Sequence, residues 1–312
     1  MRFSRPWMKC SVSWLLVVGT GLMGGSVARA ARRAGVVDRI YGVDPQHGME
    51  AKRLGVVDEV IRSLQALAPG RSGETRPGLV VLAAPVSASA QLLKDMASQW
   101  ERWGRPWVTD LGSTKSALSL AVEDLRKSSA IAAEFLSHSI ASHPMAGSEA
   151  QGPGAARADL FEHARVLLSA FPETSEACRD ALESFWLALG ARPHPLELVE
   201  HDRLLAAISH LPHAVAYALA AQLAASPQAE PAQWLHGGGL RDTTRIAASS
   251  PSLWADIFLD NREELLALMG RYQREIDTLA QAIQSQDRSR LMDYLEGAAQ
   301  WRAGFRDPRS SS

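Results

Sequence analysis

Short apolar runs alternate with helical stretches along the first half of the chain. The runs at Trp14–Val18, Ile40–Val43, Leu79–Ala83, Trp107–Thr109, Phe135–Ile140 and Val166–Leu168 read as strands. Between them, segments such as Gly25–Ala34 and Ala88–Trp100 repeat apolar residues at helical spacing. Strands buried on both faces and separated by helices predict an α/β fold with a doubly wound parallel sheet, closed by right-handed crossovers. After Leu196 the pattern changes. Glu197–Ala225 reads as one long helix and Trp254–Gln284 as another. In the second, Leu265, Met269, Tyr272, Ile276, Leu279 and Ile283 form an apolar seam that needs a helical partner. The division expected is a sheet domain over residues 1–196 and an all-helical domain over 197–312. Pro69–Gly78, Ser226–Pro231 and the tail after Asp307 are the loop-like breaks, and Pro308–Ser312 reads as disordered.

Composition narrows the class. With 33 basic and 34 acidic residues among 312, no basic footprint for nucleic acid is visible. Cys10 and Cys178 match no metal or redox spacing, which predicts reduced, packing cysteines. Arg2, Arg5 and Lys9 before Trp14–Val18, with Ala28-Arg29-Ala30 following, imitate a signal peptide. The apolar run stops at Gly19, however, and a strand entering a glycine turn explains it better. No other stretch reads as approaching a membrane span, so a cytoplasmic protein is expected.

That glycine turn carries the first candidate chemistry. Gly19-Thr20-Gly21-Leu22-Met23-Gly24 fits G-x-G-x-x-G, follows a predicted strand and opens a helix of small residues. Gly19 permits the tight turn, Gly21 lets backbone approach a pyrophosphate, and Gly24 lets the helix pack against the strand. The N–H groups of the first helical turn, around Leu22 and Met23, then face the phosphates. The strand Ile40–Val43 ends at Asp44, 20 residues beyond Gly24. A carboxylate there accepts hydrogen bonds from ribose hydroxyls and repels a 2′-phosphate, so the expected cofactor is NAD.

Four further segments are dense in polar residues: Asp110–Lys115, Ser142–Glu149, Ser209–His213 and Gly237–Arg245. The first two follow candidate parallel strands, at the edge where open α/β sheets bind ligands. Pro212 removes a donor inside a helical stretch and predicts a kink near Ile208 that turns His210 and His213 toward one side, with His210 read as structural. His210 and His213 lack a carboxylate at metal-ligand reach, so no metal is expected.

In order and spacing, Gly19–Ser26, Asp110–Lys115, His143–Glu149, Ser209–His213, Gly238–Arg245 and Trp254 resemble the prephenate dehydrogenase family, over Val17 to about Asn261. The resemblance implies a nucleotide-binding domain followed by a helical dimerisation domain, and therefore a homodimer. It also implies NAD-dependent oxidative decarboxylation of prephenate to 4-hydroxyphenylpyruvate in tyrosine biosynthesis. His143 would accept the ring hydroxyl proton, a task suited to a neutral imidazole. Ser113 would hydrogen-bond both imidazole and hydroxyl, and Lys115 would either orient the hydroxyl or complement phosphate charge. Arg245 would hold the ring carboxylate through a planar, two-pronged contact. His213 is assigned to the pyruvyl end, Trp254 to the ring face, and Ser148 to the same substrate-binding set. Glu149 and Asp242 either gate substrate entry or form a simple structural ion pair, Asp242 with Arg245. Arogenate is the alternative substrate. A nucleotide-sensing regulator is the contrasting reading, with no reason to hold His143, Ser113 and Arg245 together. A β-hydroxyacid dehydrogenase would need a lysine that Glu197–Ala225 lacks.

Overall fold

The computed structural model describes residues 12–66, 77–128, 130–148 and 150–305. Cys10, Glu149, most of the Pro69–Gly78 break and the Pro308–Ser312 tail lie outside the described residues. Eight strands form one sheet: β1 (Val12–Val18), β2 (Val37–Val43), β3 (Glu59–Val60), β4 (Leu79–Leu82), β5 (Trp107–Asp110), β6 (Ser139–Pro144), β7 (Arg165–Ala170) and β8 (Arg192–Pro195). The helices around it are α1 (Leu22–Ala34), α2 (Gly48–Arg53), α3 (Val86–Gln99), α4 (Ser116–Ser128), α5 (Ala130–Ser137) and α6 (Glu176–Ala188). The helical part comprises α7 (Leu198–Leu205), α8 (Leu211–Ala224), α9 (Ala229–Leu235), α10 (Gly238–Thr244), α11 (Pro251–Asp260), α12 (Arg262–Gln284) and α13 (Arg288–Ala303).

The strand order is β3-β2-β1-β4-β5-β6-β7-β8. Strands β1 to β6 run parallel, β7 joins β6 antiparallel, and β8 follows β7 in parallel. The doubly wound parallel sheet thus gains two reversed strands. Strand β1 is buried throughout because side chains alternate between two covered faces. Leu15 and Val17 pack with Val27 and Ala31 of α1 and Leu182 and Phe185 of α6. Leu16 and Val18 pack on the other face, with Leu93 and Met96 of α3, Leu118 and Val122 of α4 and Phe135 of α5. The signal-like run is therefore an interior strand of the sheet, paired on both sides. Cys178 sits in the first of these clusters, and burial pushes its thiol up to about 12.

Several elements differ from the expectation. The apolar pair Phe135-Leu136 belongs to α5, not to a strand, and the strand begins at Ser139. A short apolar run reads the same on a buried helix as on a buried strand, which explains the error. The long helix from Leu198 to Ala224 is continuous but carries a π-helical segment at Ala206–His210 directly before Pro212. The ring of Pro212 cannot continue the ordinary ladder, and one wider turn absorbs the mismatch. Contrary to the expectation, these 27 residues are long and apolar enough to cross a membrane by length and composition. Their first half nevertheless packs against the sheet domain, as described below. The stretch Trp254–Gln284 is broken at Asn261 into α11 and α12.

The two parts meet where helices begin. Asp202 of α7 accepts hydrogen bonds from Lys115 N (2.8 Å) and Ser116 Oγ (2.6 Å) at the start of α4. Asp260 of α11 accepts one from Ala117 N (3.1 Å), and Asp256 accepts one from Ser87 Oγ (3.2 Å) in the first turn of α3. Carboxylates at helix N-termini satisfy orphan N–H groups and oppose the positive end of the dipole. The helical part is thereby docked on the carboxyl-terminal edge of the sheet.

Candidate active site

The turn after β1 is built so that only glycine fits at two positions. Gly19 has φ +94°, and a Cβ there would lie 2.5 Å from the Ala83 carbonyl oxygen. A Cβ at Gly24 would lie 2.0 Å from the Gly19 oxygen and 2.6 Å from Val17 Cγ1, so its absence allows α1 to approach β1. Gly21 faces open space, and α1 has no side-chain cap and no acidic residue in its first turn. Leu22 and Met23, both half-buried, open that turn. Asp44 stands beside it, accepting hydrogen bonds from Thr20 N (2.8 Å), Gln46 N (2.9 Å) and His47 N (2.8 Å). Burial pushes its carboxyl up, but these hydrogen bonds outweigh that and hold it below the ordinary aspartate range. The arrangement fits a dinucleotide: uncapped N–H groups for phosphate and an ionised carboxylate for ribose.

Three strand positions away in the sheet, about 14 Å at ~4.8 Å per strand, β6 presents His143. It is 8% exposed. Its Nδ1 lies 3.0 Å from His201 Nε2, and His201 Nδ1 lies 2.8 Å from Asp202 Oδ1. Burial pushes His143 well below the ordinary histidine range, with the charge of Lys115 and the neighbouring His201 and His210 acting in the same direction. His201 is also lowered by burial, against the opposing pull of Asp202. Burial raises Asp202, but hydrogen bonds from His201 and Ser116 overcome it and keep the carboxyl low.

Lys115 is placed differently from either expectation. It is 1% exposed. Its ammonium donates to Asp110 Oδ2 (2.6 Å), Gly112 O (2.7 Å) and Ser142 O (2.9 Å), which uses all three donors on protein oxygens. Asp110 Oδ1 accepts in turn from Ser142 N (3.1 Å). The ion pair ties the loop after β5 to the residue preceding His143. Ser113 is half-buried on that loop, and among the described residues its hydroxyl has no hydrogen-bond partner. The expected Ser113–imidazole bond is not formed, and the His143 Nδ1 position is taken by His201.

The helical part contributes a second group. The ring of His213 stacks on Trp254, with centroids 3.5 Å apart and planes inclined by 22°. Its Nδ1–H donates to Ser209 O (2.8 Å), which leaves the lone pair of the neutral ring on Nε2. Burial lowers His213, a backbone hydrogen bond opposes this, and the nearby Arg245 guanidinium lowers it further. Arg245 is exposed and opens the short helix Arg245–Ala248. Asp242 pairs with Arg241 at 3.1 Å on the exposed α10. His210, 1% exposed, is held by Asn261 Nδ2 (3.0 Å), whose amide also donates to Asp202 O (2.7 Å). Ser148 is exposed and accepts a hydrogen bond from Ala150 N. The structure thus joins His143 to α7, and His213 to Trp254 and Arg245. Sequence reasoning missed His201, Asp202 and Asn261. An adjacent His-Asp pair on a helix reads as a solvated face, and only docking on α4 buries it.

Family models match both parts of the chain. Residues 27–194 match the prephenate dehydrogenase nucleotide-binding domain and residues 198–297 the prephenate dehydrogenase dimerization domain. The chain belongs to the prephenate dehydrogenase family. Prephenate dehydrogenase of Bacillus subtilis is 32% identical over 296 residues, covering 93% of this chain and 76% of the relative. Cyclohexadienyl dehydrogenase of Zymomonas mobilis is 29% identical, covering 90% of this chain and 92% of its own. Among solved structures, the Aquifex aeolicus prephenate dehydrogenase in complex with hydroxyphenyl propionate and NAD+ superposes with a TM-score of 0.80 at 29% identity, covering 94% of this chain and 98% of that one. Synechocystis arogenate dehydrogenase gives 0.72 at 28% identity, covering 93% and 99%. Membership of the prephenate dehydrogenase family agrees with the Rossmann-type sheet, and the similar proteins include both prephenate and arogenate dehydrogenases.

Proposed function

We propose that this chain is an NAD-dependent dehydrogenase that oxidises prephenate with loss of CO2, giving 4-hydroxyphenylpyruvate, and that it works as a homodimer. The observation that carries the reading is a buried imidazole, His143, whose burial disfavours its charged form, on the same sheet edge as the glycine cradle and docked against the helical part. Gly19, Gly21, Gly24 and the first turn of α1 would hold the pyrophosphate of NAD, and Asp44 the ribose hydroxyls. When bound, the cofactor supplies a hydride acceptor.

His143 takes the proton of the ring hydroxyl as the carbonyl forms. Decarboxylation turns that carbonyl into a phenolate, to which the imidazolium returns the same proton, so the reaction releases none. Ser113 donates its unused hydroxyl to the substrate oxygen. Lys115 holds Ser142 and Gly112 so that both groups stay in register, a positioning task. Arg245 receives the ring carboxylate, His213 the side-chain carboxylate, and Trp254 fixes the His213 ring by stacking. Ser148, Glu149 and Asp242 are assigned to the rim.

Arogenate is the second reading, favoured by the similarity to an arogenate dehydrogenase of known structure. The test is formation of reduced cofactor with prephenate and with arogenate, each with NAD and NADP. His143→Asn should lower kcat by on the order of 10²–10⁴ with little change in KM. Cofactor binding without turnover of either substrate would leave a nucleotide-binding regulator instead.

A further inference from the structure

Asp202 and His201 have no place in the hydride and proton transfers, yet they occupy one side of the proposed base. Asp202 Oδ1 faces His201 Nδ1 at 2.8 Å, and its carboxylate also accepts hydrogen bonds from Lys115 N and Ser116 Oγ. A carboxylate so surrounded by donors stays ionised and requires the proton on His201 Nδ1. A neutral His201 then has its lone pair on Nε2, 3.0 Å from His143 Nδ1. That lone pair requires a proton on His143 Nδ1, which leaves His143 Nε2 bare. The hydrogen-bond chain therefore selects one of two imidazole tautomers, the one with an accepting Nε2.

We infer that His201 and Asp202 are positioning residues that fix His143 as the Nδ1–H tautomer, so that the base is held in its accepting form when the helical part is docked on α4. His201 and Asp202 come from α7, whereas His143 comes from β6. The same carboxylate that orders the base also holds the start of α4, so undocking frees the imidazole to take either tautomer. The inference rests on His143 being the base, but its first test does not.

Selective ¹⁵N labelling of histidine in the full chain reads the tautomers directly by NMR, without substrate. The expected result is a protonated Nδ1 and bare Nε2 on His143, and the same on His201. A proton on His143 Nε2, or a doubly protonated His201, overturns the inference even if the enzyme is active. The second test is kinetic. A Gln Oε1 can accept in place of His201 Nε2, whereas Leu cannot. His201→Leu should therefore lower kcat by about 10–100-fold at nearly constant KM, and His201→Gln should recover most of that loss.

The pH profile of kcat/KM separates positioning from mere packing. Among the described residues, the titratable groups acting on His143 are Lys115 on the loop after β5, His201 on α7 and His210 on the π segment, with Asp202 and Asp110 acting on His201. His201→Leu should shift the acid limb, and His201→Gln should restore it. Equal losses in the two variants with an unmoved limb would reduce His201 to a packing residue. If the tautomers are as expected but neither cyclohexadienyl substrate is oxidised, the functional reading fails and the relay stands.

Discussion

His210 shows how burial of one imidazole becomes a property of the whole fold. Asn261 Nδ2 donates both to Asp202 O and to His210 Nδ1, so His210 Nδ1 is an acceptor and must be unprotonated. A proton there would set two donors face to face in a site with 1% exposure. Burial accordingly pushes His210 down from 6.5 to about 4. The unfolded chain takes up this proton as pH falls through 6.5, while the folded chain does not until about pH 4. Stability from this residue is thus complete above pH 6.5 and declines below it, by up to about 1.4 kcal/mol per pH unit. His143 and His201 act in the same sense, and Asp260, raised by burial, acts against them. Denaturation followed from pH 7 to 4 should show falling stability, with a smaller slope for His210→Asn, which keeps the acceptor without the titration. Equal slopes would remove His210 from the account. None of this was legible at residue scale. The sequence shows His210 inside an apolar helix, which suggests a structural role, but Asn261 lies 51 residues away and only tertiary packing brings them together.

Elements were legible in proportion to how local their causes are. The cradle depends on one turn between β1 and α1, and its three glycines could be assigned distinct tasks from spacing alone. Those tasks predict different failures. Gly24→Ala places a methyl 2.0 Å from backbone oxygen, so the helix must move, and a loss of several kcal/mol or outright misfolding is expected. Gly21→Ala meets nothing within 4 Å. That variant should keep its melting temperature within a few degrees but bind NAD at least about tenfold more weakly, since the methyl enters the phosphate approach. Calorimetric melting and cofactor titration separate the two, and comparable cofactor affinity in Gly21→Ala and wild type would move the pyrophosphate elsewhere. Elements with distant causes were harder to read. Strand β8 is Arg-Pro-His-Pro, a sequence that argues against a strand, but it lies at the sheet edge, where missing N–H donors cost least. The break at Asn261 likewise follows from its amide being required at Asp202 and His210. The π segment came closest to expectation, because Pro212 announces a disturbance even though its form depends on packing.

For the molecule as a whole, the sheet edge divides its helix N-termini between two uses. Those of α3 and α4 are engaged by Asp256, Asp260 and Asp202 from the helical part, which fixes its position. That of α1 keeps its uncapped donors. The helical part in turn leaves an apolar surface exposed: Met269 is 43% exposed, Ile276 41% and Ile283 58% along α12, joined by Ile208 at 55%. The seam was legible from its period, but whether the same chain covers it was not. In the structure Leu265 is buried and Leu279 half-buried, while Met269, Tyr272, Ile276 and Ile283 stay exposed. An apolar stripe of this kind is expected at a subunit contact, and the matched dimerization domain, residues 198–297, contains it. Met269 and Ile276 are seven residues apart and share a face of α12. The double change Met269→Asp, Ile276→Asp should raise the dimer dissociation constant at least about 100-fold, because each carboxylate would be desolvated on association. Sedimentation velocity should then give a wild-type dimer and a variant monomer near 33.8 kDa, both with the same helical circular dichroism. A monomeric wild type, or a variant that dimerises as tightly, would assign this seam to some other partner.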